Sequence, residues 1–166
     1  MLLWFAGLSF LLVAWVFASP AIDYRLVIGA SVLPVVELAI GGPWPLHTLA
    51  APVLVMALVM VIFRGQRLAQ RRWLGIAIGL FMHLVLDGSW ARTTLFWWPL
   101  FGTSIDEGDI PTLPAPLALV AMELAGLIAL VWVARRYRLD QPTERSRFLR
   151  NGQLSRAAMS QSPGTC

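Results

Sequence analysis

The chain lacks lysine, and its single cysteine is the last residue, Cys166. One cysteine at that position supports neither an internal disulfide framework nor a CxxC site, so we interpret it as inert. Charged residues are scarce as well: they make up 13% of the 166 residues, whereas 58% are hydrophobic. Soluble domains carry roughly 25% charged and 45–50% apolar residues. The composition therefore predicts a membrane protein and argues against a water-soluble globule.

Long hydrophobic runs dominate the sequence, and charge, proline and glycine divide them into five segments. They cover residues 1–19, 24–40, 45–63, 73–87 and 114–134. The first has no charged amino-terminal region, so we interpret it as an uncleaved helix and not as a signal peptide. Spanning segments of this kind predict an all-α polytopic membrane protein, a bundle of about five transmembrane helices over residues 1–138. The polar, Arg-rich residues 139–166 are predicted to be a disordered cytoplasmic tail.

The arginines indicate an orientation. All thirteen basic residues are Arg, and an external N-terminus with five crossings places all of them except Arg92 on the cytoplasmic side. This distribution follows the positive-inside rule. It predicts a cytoplasmic C-terminus and a multi-pass protein of the bacterial inner membrane. Membrane lipids are the expected partners, and a membrane-protein partner or a second copy of the chain remains open. Nucleic acid is not expected, because the basic residues are not interleaved with aromatic ones.

Five ionisable residues fall inside the predicted spans: Glu37, His47, His83, Asp87 and Glu123. Such residues are costly in a membrane and usually have a partner or a function. At about 1.5 Å per helical residue, they lie roughly 16–25 Å from the nearest cytoplasmic arginine. Four different helices therefore place them in one layer of the outer half of the bilayer. We expect a common polar site there.

The donor set predicts metal chemistry. Two imidazoles with carboxylates suit Zn²⁺, Mn²⁺ or Fe²⁺ and leave a position for water, and a metal-bound water is a nucleophile near neutral pH. The predicted metal ligands are Glu37, His47, His83 and Asp87. The predicted catalytic carboxylates are Glu37, Asp87 and Glu123, one of which would act as general base. Hydrogen bonds between helices, without a metal, would explain the same residues.

The external loop adds two predicted substrate-binding residues. Arg92 is the only external arginine and suits an anionic headgroup, and Trp98 belongs to an aromatic run at 96–101. That run is also typical of an interfacial aromatic belt. The acidic residues at 106–109 are interpreted as a solvated loop. A Gly75-x-x-x-Gly79 pattern predicts close packing of the fourth helix against a neighbour.

Three motifs resemble those of the YdjM-like family of membrane-bound metal-dependent hydrolases, some of which are LexA-regulated. The family pattern has a Leu-Pro-Asp-x-Asp segment, a Gly-x-Thr-His-Ser segment and a later Ser-His-x-x-x-Asp followed by Trp-Pro. The matching segments here are LPVVE at 33–37, GPWPLHT at 42–48, MHLVLD at 82–87 and WP at 98–99. The resemblance implies a metal site that includes Glu37, His47, His83 and Asp87. Val35 stands where the family has its first acid.

Two functions follow as expectations. The first is an inner-membrane, metal-dependent hydrolase that cleaves a lipid-linked or headgroup ester or phosphoester at the outer face. The second is a non-catalytic membrane subunit or lipid-binding module of a larger envelope complex, which the missing acid at Val35 favours. A proton or ion pathway through the same acids is less favoured, because the cytoplasmic half shows no second gate.

Overall fold

The computed structural model describes residues 1–40, 45–100, 102, 104 and 114–155. Within these residues the chain is all helical, with turns and no strand. Its α-helices are α1 (Leu2–Phe17), α2 (Tyr24–Val32), α3 (Pro34–Ile40), α4 (Ala50–Ile62), α5 (Arg67–Asp87), α6 (Thr93–Phe96), α7 (Pro116–Arg136) and α8 (Pro142–Asn151). Short 3-10 turns cover Pro45–His47 and Ser89–Ala91. The all-α class predicted from the sequence is confirmed.

The helices follow the five hydrophobic segments with two differences. The second segment is divided into α2 and α3 at Leu33, because Pro34 has no N–H to continue the helical ladder and instead occupies the first position of α3. The fourth segment begins at Arg67, six residues before the predicted start at Trp73. Its first residues are Arg, Leu, Ala and Gln, all good helix formers, so the basic loop becomes the first turns of α5.

One described helix, α7, is long and apolar enough to span a bilayer. The apolar helices α1 and α4 have 16 and 13 residues, or about 24 and 20 Å at 1.5 Å per residue, against a hydrocarbon core of about 30 Å. The five-span bundle stays a prediction. The break at 41–43, the acidic loop at 106–109 and Cys166 lie outside the described residues.

Close backbone contacts hold the bundle together. Helix α1 packs against α7 and α2, and α5 packs against α2 and α4. A Cβ atom added at Gly79 would collide with the carbonyl oxygen of Val27, and one at Gly75 would lie 2.9 Å from the carbonyl oxygen of Asp23. The packing role predicted for these two glycines therefore agrees with the structure, since only glycine permits this approach of α5 to α2.

The C-terminal segment differs from the predicted disordered tail over its described part. Helix α8 occupies Pro142–Asn151, and Leu154 is 2% exposed in a cluster of apolar residues that includes Phe10 and Tyr24. The Tyr24 N–H donates to the Gly152 carbonyl oxygen at 2.8 Å. An apolar residue within the polar tail thus gives it an attachment point. The tail residues 156–166 lie outside the described part.

The attachment point lies beside a buried carboxylate, Asp23. It accepts hydrogen bonds from Arg25 Nε and Nη2 at 3.1 and 2.9 Å and from Arg72 Nε at 3.1 Å. Burial alone would raise the pKa of Asp23, but the hydrogen bonds and charge of Arg25, with the hydrogen bond from Arg72, hold it below its usual value. The ionised side chain also accepts the Arg25 N–H at the start of α2, which stabilises that helix terminus.

We expect Gly152→Ala to release the C-terminal segment. Gly152 has a φ of +67°, and a Cβ atom there would overlap the Asp23 carboxylate. The measurement is limited trypsin digestion, with faster cleavage after the arginines of α8. Gly65→Ala is the matched control, because Gly65 also has a positive φ, +86°, but its Cβ would meet nothing within 4 Å. Equal release of α8 peptides from both variants would contradict the docking.

Candidate functional site

Glu37 and His47 form a buried pair. Glu37 lies on α3 and His47 in the 3-10 turn that precedes α4, and their relative exposures are 6% and 2%. His47 Nδ1 lies 2.9 Å from Glu37 Oε2. The Leu46 N–H donates to both Glu37 oxygens, at 3.0 and 3.1 Å, as an ionised acceptor favours. His47 therefore donates its Nδ1 proton to Glu37, and its lone pair lies on Nε2.

His83 approaches the pair from α5 and is 1% exposed. Its Nδ1 lies 2.7 Å from the Ser31 carbonyl oxygen. A carbonyl only accepts hydrogen bonds, so Nδ1 carries the proton and Nε2 carries the lone pair. That Nε2 is buried and has no hydrogen-bond partner. The ring is held flat against Phe5, with centroids 4.0 Å apart.

The two imidazoles meet edge to face, with centroids 5.1 Å apart. In each ring an acceptor behind Nδ1 fixes the tautomer and the orientation, as is usual for histidines that act as ligands or bases. An unsatisfied buried nitrogen next to a second imidazole needs an explanation, such as a water or an ion. The structure therefore brings Glu37, His47 and His83 into one cluster, which we call the histidine cluster.

Asp87 is directed to the loop that follows α5. Its Oδ2 accepts hydrogen bonds from Arg92 Nη1 at 2.6 Å and from Ser89 Oγ at 2.7 Å. Asp87 and His83 share a face of α5, as their spacing predicts, but the carboxylate is held by a cation five residues further along the chain. Arg92, predicted to bind an anionic headgroup, is thus the ion-pair partner of Asp87.

Glu123 lies apart from the histidine cluster, against the start of α1. Its carboxylate pairs with the amino group of Met1, and it accepts the Leu3 N–H at 3.0 Å. The structure therefore places Glu123 in contact between α7 and α1. Its predicted part as a base beside the histidines has no contact to support it.

The four predicted metal ligands do not form one metal-binding group. Among the described residues, no group of three or more His, Cys, Asp and Glu is placed to hold a metal ion. Glu37 lies behind His47 and Asp87 binds Arg92, so neither carboxylate joins the two imidazoles as a ligand. Catalytic zinc sites use three protein ligands, so the described donor set does not fit that centre.

One backbone contact brings the loop after α5 close to the histidine cluster. The Leu49 N–H, two residues after His47, donates to the Phe96 carbonyl oxygen at 2.9 Å. Trp98 follows in the same loop, where it is half-buried and its N–H donates to the Leu95 carbonyl oxygen. The loop that carries Arg92 and Trp98 is therefore tied to the start of α4.

Two participants in the cluster have no signal in the sequence. The Ser31 carbonyl is a backbone group, which any residue at that position would supply. Phe5 is one of many apolar residues of α1, and only the packing of α1 beside α5 selects it. Comparisons with protein-family models, with curated proteins and with solved structures give no match. The geometry of the histidine cluster therefore carries the functional inference.

Proposed function

We propose that the chain is a multi-pass protein of the bacterial inner membrane, with the histidine cluster in the outer half of the bilayer. Large apolar side chains exposed along α4 and α7 support this placement, among them Val61 at 72% and Leu117 at 83%. Exposed apolar surfaces of this extent mark contact with lipid or protein. Helices α1 and α4 would match the hydrocarbon core if the bilayer thins locally, at a modest cost per ångström.

For this membrane protein we propose hydrolysis of a lipid-linked or headgroup ester or phosphoester at the outer face. The observation that carries the proposal is the unpartnered Nε2 of His83 beside the Glu37–His47 pair. Nucleic-acid recognition has no support here, and membrane lipids are the expected substrates. The motif resemblance to YdjM-like membrane hydrolases supports the same reaction class.

The chemistry follows from the proton positions. His47 Nε2 accepts a proton from water as the water oxygen bonds to the carbonyl carbon or phosphorus of the ester. Glu37 stabilises the imidazolium that forms through the Nδ1–H hydrogen bond. His83 Nε2 accepts a hydrogen bond from the same water and holds it near His47. His47 then returns the proton to the leaving oxygen as the ester bond breaks.

The test is turnover by the purified protein in phospholipid vesicles, followed by mass spectrometry of the lipid products. We expect hydrolysis by the wild type and a loss of roughly 10²-fold or more for His47→Asn, because a positioned general base contributes about 10²–10⁴. A thermal melt of each protein separates loss of the base from loss of the fold. Undiminished turnover by a folded His47→Asn protein would overturn the proposed base.

The burial of the histidine cluster favours a second candidate, a non-catalytic lipid-binding module or subunit of an envelope complex. With all three side chains nearly inaccessible, the cluster would serve to join α3 to the turn before α4, and α5 to α2, by hydrogen bonds. This candidate predicts no turnover by the wild type and co-purification of a lipid or a stable membrane partner. The vesicle assay and the composition of the purified complex therefore distinguish the two.

A further inference from the structure

An apolar groove of about 380 Å³ lies between α1, α4 and α5. Its walls include Phe17 of α1, Val53 and Met56 of α4, and Leu74 and Met82 of α5. Every residue that lines it is apolar, so the groove offers no hydrogen bond to a polar ligand. A binding site for a compact metabolite normally adds a few polar groups to such a wall. The lining therefore suits a hydrocarbon.

The groove runs along the helices. Leu74 and Met82 are eight residues apart on α5, a rise of about 12 Å, and its α4 wall extends from Leu49 to Met56, about 10 Å. With α4 and α5 crossing the membrane as proposed, the long axis of the groove follows the bilayer normal. Lipid tails have the same direction.

One end of the groove lies beside the backbone that carries the two histidines: Met82 immediately precedes His83, and Leu49 follows His47 by two residues. The imidazoles themselves are buried and do not line the groove. A hydrocarbon chain in the groove would thus have its polar end on the side of the histidine cluster. Because the groove ends near the two histidines, an acyl chain with an ester at its end fits this position better than an unattached hydrocarbon or a detergent.

We propose that this groove binds an acyl chain of a membrane glycerophospholipid and presents the polar end of that lipid to the histidine cluster. The inference rests on the proposed function and names its substrate class. Packing in the groove fixes the position of the chain. The surrounding lipid tails are as apolar as the groove lining, so the chain gains no hydrophobic free energy on entering the groove. The bound chain differs from the surrounding lipid in its fixed position.

The test is photolabelling in vesicles that contain a glycerophospholipid with a diazirine on its acyl chain, followed by peptide mapping. We expect several-fold more label on the groove peptides of α4 and α5 than on the outer face of α7 around Leu117 and Val120, which are 83% and 56% exposed and line no such groove. Val53→Trp should fill the groove and remove more than half of its label, because Val53 lines the groove and is 46% exposed.

The matched control is Val120→Trp, the same substitution on the α7 face at a residue that is 56% exposed, which should leave the groove label unchanged. Equal labelling of the groove and the α7 face would show general contact with lipid and would overturn the inference. Label that remains in the groove of the Val53→Trp variant would also overturn it. Label concentrated in the groove without lipid hydrolysis would support the acyl-chain site and contradict the proposed hydrolase. Lipid hydrolysis with equal label on the groove and the α7 face would support the hydrolase and contradict the acyl-chain site.

Discussion

In Glu37→Gln, the rate of lipid hydrolysis should fall by roughly 10²-fold or more, with little change in KM. Glutamine keeps the shape of the side chain, and its amide oxygen can still accept the hydrogen bond from His47 Nδ1–H, but it carries no charge to stabilise the imidazolium. General-base catalysis accounts for about 10²–10⁴ in rate. Glu37 acts through His47 and does not touch the substrate, so kcat should carry the loss. Initial rates over a range of vesicle concentrations measure both constants.

Glu144→Gln provides the matched control for this change. Glu144 lies on α8 and pairs with Arg147 at 3.6 Å on the surface, far along the chain from the histidine cluster. It should keep the wild-type rate, and both variants should keep a cooperative thermal transition. Full activity of Glu37→Gln, or an equal loss in Glu144→Gln, would contradict the role given to the Glu37–His47 pair.

The sequence predicts the depth of each ionisable residue along the helix axis but not the direction in which its side chain points. Counting residues from the arginines placed Glu37, His47 and His83 at similar depths, and the structure joins them. The same count placed Asp87 and Glu123 in that layer. Asp87 instead pairs with Arg92, in a loop whose shape the sequence does not predict. Glu123 pairs with the amino group of Met1, which a count of distances from arginines leaves out.

For helix packing too, the sequence predicts one contact and not another. The spacing of Gly75 and Gly79 on one helix is visible in the sequence, and both glycines do lie at a close contact. Gly7 and Gly126 are isolated glycines on different helices, and only the assembled bundle shows that they meet. Likewise, the docking of α8 uses the apolar Leu154 and the backbone carbonyl of Gly152, in a segment whose polar composition predicts disorder.

Gly126→Ala should destabilise the folded protein by about 2 kcal/mol or more. A Cβ atom at Gly126 would overlap the Leu3 carbonyl, and one at Gly7 would overlap the Gly126 carbonyl oxygen, so the backbones of α1 and α7 are in direct contact. Neither backbone can give way as a side chain would. Overpacking of about 1–3 kcal/mol or more outweighs the gain in helix propensity of up to about 1 kcal/mol.

Gly29→Ala tests whether the loss comes from this contact or from the substitution itself. Gly29 lies within α2, and a Cβ atom there would meet nothing within 4 Å. It should therefore be neutral or stabilise the protein by up to about 1 kcal/mol through helix propensity alone. Unfolding in a denaturing detergent series gives both free energies. The two variants make the same chemical change in a helix, so opposite signs would assign the effect to the α1–α7 contact, and a shared sign would contradict it.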